Sequence, residues 1–226
     1  MTTTAIEKKT AGSNGKAGAR EITIAPPNFE TAKFLITGIS PYVQNKFSAK
    51  ALEQMKNKQE AGSTGKKGAK REAKDFQAAY EGAIHKTKDG WVGIPAPAFR
   101  NAMISACRTV GFMMTRAKLS VFVEADGFDQ NDGDPLVKII KGKPRYTEMF
   151  VRNETGVADI RPRPMWDEGW QAYIRVRFDA DQFTLEDVSN LLARAGLQVG
   201  IGEGRPSSPN SCGMGWGLFS LENTKE

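Results

Sequence analysis

The chain has 226 residues, 39% of them hydrophobic and 26% charged, with 23 glycines and 11 prolines. That composition excludes collagen-like and wholly disordered chains and allows one large buried core or two small ones. The formal net charge is +6, no run nears 18 apolar residues, and the start, MTTTAIEKKTAGSNGKAG, has no apolar stretch of a secretory signal, so a membrane span is excluded and a cytoplasmic setting is expected.

Residues 1 to 29 mix Thr, Lys, Gly and Ala, end in APPNF, and read as a disordered tail. TAKFLITGI, 31 to 39, reads as a mostly buried strand ended by Ser40 and Pro41. From Lys46 to Lys74 the chain holds nine Lys or Arg against three Glu, which accounts for the whole net charge. Its EAGSTGKKGAKREAK core has no aromatic residue and too little apolar surface to offset its ordering entropy, so a mobile basic insertion is expected at about 46 to 74. Such an arm either keeps the chain soluble or neutralises phosphates, through Lys66, Lys67, Lys70 and Arg71.

AKDFQAAYEGAIHKT reads as a short helix passing into a strand, KDG as a turn, and WVGI as a strand stopped by Pro95 and Pro97. AFRNAMISACRTVGF places Phe99, Met103, Ile104 and Cys107 at helical spacing, with Gly111 as end cap. AKLSVFVEADG reads as a strand with Leu119, Val121 and Val123 on one face, leading into an acidic loop over 124 to 134. PLVKIIKG, EMFVRN, VADIRPR and WQAYIRVRF are four more strands, the last alternating Tyr173, Arg175 and Arg177 with Ile174, Val176 and Phe178. FTLEDVSNLLARAG reads as a helix with a Thr184 cap, ending at Gly196, and a terminal strand forms around WGLFSL. The order predicts an α+β domain over 30 to 222, an antiparallel sheet with helices on one face and inserted loops, compatible with a ferredoxin-like core.

Between the last helix and the last strand, residues 200 to 217 carry six glycines in eighteen positions. Glycine lets backbone N–H groups approach a ligand, so Gly200, Gly202, Gly204, Arg205, Ser207, Ser208 and Ser211 can cradle a phosphate backbone; the plainer reading is a flexible hairpin. The dinucleotide fingerprint is not met, since these glycines follow a helix and precede Pro206, and no phosphate-loop GKS or GKT occurs. Arg152, Arg161, Arg163, Arg175 and Arg177 interleave with Trp166, Trp170 and Tyr173, a mixture suited either to holding a single strand or to ion pairs on a half-exposed sheet. His85, the single histidine, is expected to be structural because no carboxylate is fixed beside it in sequence; acting as general acid or base in RNA cleavage is the alternative. No GxSxG occurs, and the acidic loop fails as a calcium site because position twelve is Val137 or Ile140, leaving it as a solvated loop. Cys107 and Cys212 lie too far apart in sequence for a disulfide framework or zinc knuckle, and no metal or cofactor is expected.

Three segments resemble the RAMP superfamily, the RNA-binding subunits of CRISPR effector complexes: TAKFLITGISPYVQ at 31 to 44, GWVGIPAPAFRNAMISA at 90 to 106, and VGIGEGRPSSPNSCGMGWGLF at 199 to 219. The resemblance implies an RRM-like, ferredoxin-type sheet that binds single-stranded RNA, with copies of itself or other effector-complex subunits as partners. Glu203 and two prolines depart from the family's glycine loop, no family nuclease residue maps onto this chain, and the whole also resembles phage and prophage proteins. The expected function is therefore a non-catalytic single-stranded nucleic-acid-binding protein, with Arg100 adding charge at its helix start. The alternatives are a metal-independent endoribonuclease using His85 and a phage structural or assembly protein. Changing Lys66, Lys67, Lys70 and Arg71 to Ala is expected to flatten the salt dependence of oligomer binding by up to about 0.7 log-log units per lost phosphate contact, read by electrophoretic mobility.

Overall fold

The structure, a computed structural model, describes residues 24–46, 49–60, 74–152, 156, 158–208 and 214–222. Two long strands form its spine: β1 (Phe29–Gly38) and β9 (Gln171–Asp179) pair antiparallel from Phe29 opposite Asp179 to Thr37 opposite Gln171. Both alternate as expected, so Phe34 and Ile36 lie on the same side as Ala172, Ile174, Val176 and Phe178, and Lys33, Tyr173, Arg175 and Arg177 on the other. Strand β10 (Phe219–Leu221) pairs with the outer edge of β1. Two strands share the far edge of β9: β4 (Val121–Glu124) along Arg175 to Phe178, and β6 (Pro135–Lys141) at Gln171 and Ala172. β6 in turn pairs with β3 (Gly93–Pro95) and β5 (Gly127–Phe128). All these pairings are antiparallel, and the class is α+β.

One face of this sheet is covered by α3 (Ala96–Ala106) and α5 (Leu185–Arg194). α3 begins with prolines where a missing N–H costs nothing and buries Phe99, Ala102, Met103 and Ala106. A 3₁₀ turn over Cys107–Val110 extends it to Gly111, whose φ of +69° caps the end as expected. α5 opens with a reciprocal capping box between Thr184 and Asp187 and buries Val188, Leu191 and Leu192. It does not stop at Gly196. A π turn, Ala195–Val199, carries it to Gly200, while Gly196 passes so close to β10 that a Cβ there would lie 2.2 Å from the Phe219 carbonyl oxygen.

A second sheet joins β2 (Tyr42–Val43), β8 (Ala158–Trp166) and β7 (Arg145–Arg152), with the short helix α2 (Phe76–Gly82) against β8. Pro162 and Pro164 are accommodated because β2 pairs only with Met165 and Trp166, and the one backbone bond beyond them, from the Gln44 N–H to the Pro164 carbonyl, asks no N–H of a proline. Aromatic side chains join the two sheets: Tyr42 packs on Trp166 and Trp170 at 5.4 and 5.5 Å between centroids, and Phe219 links Trp170 to Phe99.

The expected strand from 117 is half a helix. Met114–Ser120 forms α4, which buries Ala117 and Ser120 and leaves Leu119 76% exposed; the strand begins only at Val121. MTRAKLS is made largely of strong helix formers, and that local preference prevails over the alternation with Val121. The expected mobile stretch at 46 to 74 divides: Lys46 is buried, Ala49–Glu60 forms α1, and Lys74 bonds Asp159, while Lys66, Lys67, Lys70 and Arg71 lie outside the described residues. Residues 1–23 of the expected tail and Cys212 also lie outside them, and Phe29 already belongs to β1. Among the described residues no helix is long and apolar enough to cross a membrane.

Gly217 and Gly215 give paired tests of the last loop. Both have φ near +70°, but a Cβ at Gly217 would meet the Ile201 carbonyl oxygen at 1.8 Å, whereas nothing lies within 4 Å at Gly215. Gly215→Ala is expected to cost about 1 to 2 kcal/mol from φ alone, and Gly217→Ala clearly more, as measured by denaturant unfolding.

Candidate functional site

A cleft of about 1180 Å³ opens between the glycine loop at 200–208, β2 with the Gln44–Asn45 stretch, α3, and the β7–β8 hairpin. The loop contributes Gly200, Gly202, Gly204, Arg205, Ser207 and Ser208; α3 contributes Asn101 and Ser105; the hairpin contributes Val151 and Arg161; and His85 stands in the wall. Most of the expected glycine-loop residues therefore do meet in one concavity, although Ser211 lies outside the described residues.

The loop's geometry gives its glycines a second purpose. Gly200, Gly202 and Gly204 all have φ between +72° and +78°. At Gly202 a Cβ would lie 2.5 Å from the Val43 carbonyl oxygen and 2.7 Å from the Tyr42 ring, so the close approach this glycine permits is to its own chain. Arg205 donates from Nη1 to the Gly202 carbonyl at 3.0 Å, folding the loop back on itself while remaining at the cleft surface.

Arg163 is not at the cleft surface. It is buried and its Nε donates to Glu203 at 2.5 Å, tying β8 to the glycine loop; burying a guanidinium demands such a partner. Arg100 is half-buried and bonded within the protein. Its guanidinium donates to the carbonyls of Val121 (2.9 Å) and Lys118 at the end of α4 and lies over Phe122, while its neighbour Asn101 faces the cleft. Arg161 pairs with Asp159, 3.3 Å away, at the cleft's hairpin wall. Arg175 and Arg177 are on the helix-free sheet face, outside the cleft: Arg175 pairs with Glu124 and Asp126, and Arg177 lies 5.1 Å from both Phe29 and Phe122. Trp166 and Trp170 are fully buried and unable to stack on a ligand, whereas Tyr173 is 40% exposed beneath the Lys33 ammonium.

Sequence reasoning missed the groups around His85. Its Nδ1 lies 3.1 Å from Asp129 Oδ2, and Asp129 comes from the acidic loop expected to be solvated. The other Asp129 oxygen accepts from Lys46 at 2.5 Å, and Lys46 also lies 3.3 Å from Asp132. The His85 backbone N–H donates to Gln44 Oε1, and Gln44 donates in turn to the Gly93 carbonyl at 2.6 Å. His85, Asp129 and Asp132 are close enough to share a metal ion, but the Lys46 ammonium already supplies the cation there. A buried charge in need of a partner is the signal that links Lys46 to this loop, and it is invisible at 83 residues' separation.

Burial and the Lys46 charge hold the His85 imidazole below its usual range, although Asp129 acts in the opposite sense. For Asp129, burial works to raise the carboxyl, but the Lys46 hydrogen bond, the Asn131 N–H and the charges of Lys46 and His85 together bring it below the ordinary value. Burial likewise pushes the Tyr42 phenol far up. At pH 7 His85 is thus neutral and Asp129 a carboxylate.

No protein-family model matches the chain, and no curated protein matches it.

The cluster makes the fold acid-sensitive. The unfolded chain binds more protons than the folded one once pH falls below 6.5, the ordinary histidine value, and again near and below 3.8 for Asp129. The melting temperature is expected to decline as pH is lowered from 7.5 through 5.5, and His85→Asn to reduce that slope; circular dichroism melts across the series check both.

Proposed function

We propose that the cleft binds a single strand of nucleic acid, RNA being the expected one, and that the protein acts as a non-catalytic binding subunit. The observation that carries this reading is the meeting of Arg161 and Arg205 in one cleft with loop glycines, Ser207, Ser208 and Asn101. Guanidinium forks suit phosphates, and backbone and side-chain donors track a sugar–phosphate chain without strict sequence demands. The RAMP-like, ferredoxin-type reading belongs with it. Its support is the strand order β10, β1, β9, β4 with α3 following β1 and α5 following β9, the βαββαβ order of that fold once the inserted hairpins are set aside. The basic segment after Lys46 and the arginines of the open sheet face, Arg175 and Arg177, are proposed as further phosphate contacts.

A second reading rests on the His85–Asp129 pair in the cleft wall: a carboxylate-oriented neutral histidine is a competent general base, as an endoribonuclease requires.

Labelled RNA and DNA oligomers titrated across a salt series test both. Binding that weakens steeply with salt, and a loss of about five- to hundredfold in Arg205→Ala with the melt retained, supports the cleft. Salt-independent or absent binding favours an assembly role instead. Metal-independent cutting of RNA that is lost in His85→Asn establishes the nuclease.

A further inference from the structure

The His85 ring has one nitrogen accounted for. Asp129 is fully buried and held as a carboxylate by Lys46, so it can only accept, and Nδ1 of His85 must be the protonated nitrogen that donates to it. The proton assignment leaves Nε2 as a lone-pair acceptor. No buried side-chain nitrogen or oxygen among the described residues lacks a partner, and no partner of Nε2 is found there, so that atom keeps some exposure, and His85 is one of the residues that line the cleft. The ring is held by its Nδ1 bond to Asp129 and by burial, its side chain being only 8% exposed.

Of the other side chains on the cleft wall, Arg161, Arg205, Asn101, Ser105, Ser207 and Ser208 can donate a hydrogen bond, which suits phosphate oxygens, while the Glu203 carboxylate there is already taken up by Arg163. Nε2 is different: it is a fixed, uncharged acceptor that has no use for a phosphate. The feature of a nucleic-acid strand that offers a donor beside the phosphates, at every nucleotide and whatever the base, is the ribose 2′-hydroxyl.

We infer that His85 is the residue by which the cleft selects ribose over deoxyribose, its Nε2 accepting a hydrogen bond from a 2′-hydroxyl of the bound strand. This rests on the cleft reading above and adds to it the sugar that is recognised. A buried acceptor built to receive a hydroxyl disfavours a strand lacking one, because the acceptor is then left unpaired or must retain a water. Asp129 and Lys46 act as positioning residues, fixing the tautomer and the ring.

The test uses the full chain with three oligomers of one sequence: RNA, DNA, and 2′-fluoro RNA, which keeps an RNA-like sugar but has no hydroxyl proton. The parent is expected to bind RNA about threefold to tenfold more tightly than either of the other two, the scale of one net hydrogen bond. His85→Asn retains an amide that can donate to Asp129 while removing the acceptor at the Nε2 position, which the shorter side chain does not reach, so it is expected to bind all three alike, at the level of the parent with DNA. The oligomer comparison on the parent alone needs no variant to fold. Equal binding of RNA and 2′-fluoro RNA by the parent overturns the ribose assignment while leaving the cleft intact. Preference that persists in a well-folded His85→Asn overturns it too. Failure to bind any oligomer overturns the cleft reading and this one together, and cleavage of RNA shows Nε2 removing the 2′ proton instead of reading it.

Discussion

A single buried carboxylate organises the side of the molecule that faces the cleft. Asp129 receives Lys46 on one oxygen and His85 on the other, and its own loop N–H from Asn131 closes on it as well. Left alone, such a charge would cost several kcal/mol to bury; matched in this way, it fastens the stretch after β2, the turn before β3 and the acidic loop to one point. Gln44 repeats the connection through backbone groups, with His85 N–H on one side and the Gly93 carbonyl on the other. The cleft wall is consequently rigid where a loop-built wall would be expected to yield.

The opposite wall is held by different means. The glycine loop is pressed against β2 so closely that side chains cannot intervene, and Arg163 reaches from β8 to hold Glu203. Its glycines are demanded by the protein's own backbone geometry before any ligand is considered. What remains to face outward is Arg205 and the serines, so charge and hydroxyls are presented on a frame that the protein's own contacts fix.

Elements governed by local pattern were legible in the amino-acid sequence. The alternation of β1 and β9, the capping box of α5 and the Gly111 cap of α3 each depend on residues a few positions apart, and each forms as expected. What escaped depends on distance. Lys46 reads as one more cation in a basic run, Asp129 as one more anion in a solvated loop, and Arg163 as a surface arginine; each changes meaning only when the fold brings its partner within bonding range. The α4 error is of another kind, since there a helix-forming run abuts a true strand and periodicity alone cannot place the joint. For the cleft, the glycine loop and Arg205 were visible as composition, whereas Asn101 and the histidine's orientation were not.

The aromatic path from Trp166 through Tyr42 and Trp170 to Phe219 and Phe99 runs from the smaller sheet into the centre of the main core. Trp170 sits at the start of β9, its indole N–H donates to the Ser40 carbonyl, and Gly38 lies flat against it where even a Cβ would collide. Peeling the smaller sheet away would therefore uncover buried rings of the larger one. The two sheets share one opening event, and backbone amides in Tyr42–Val43 should be shielded from solvent exchange about as long as those in the middle of β1, although their strand is only two residues long.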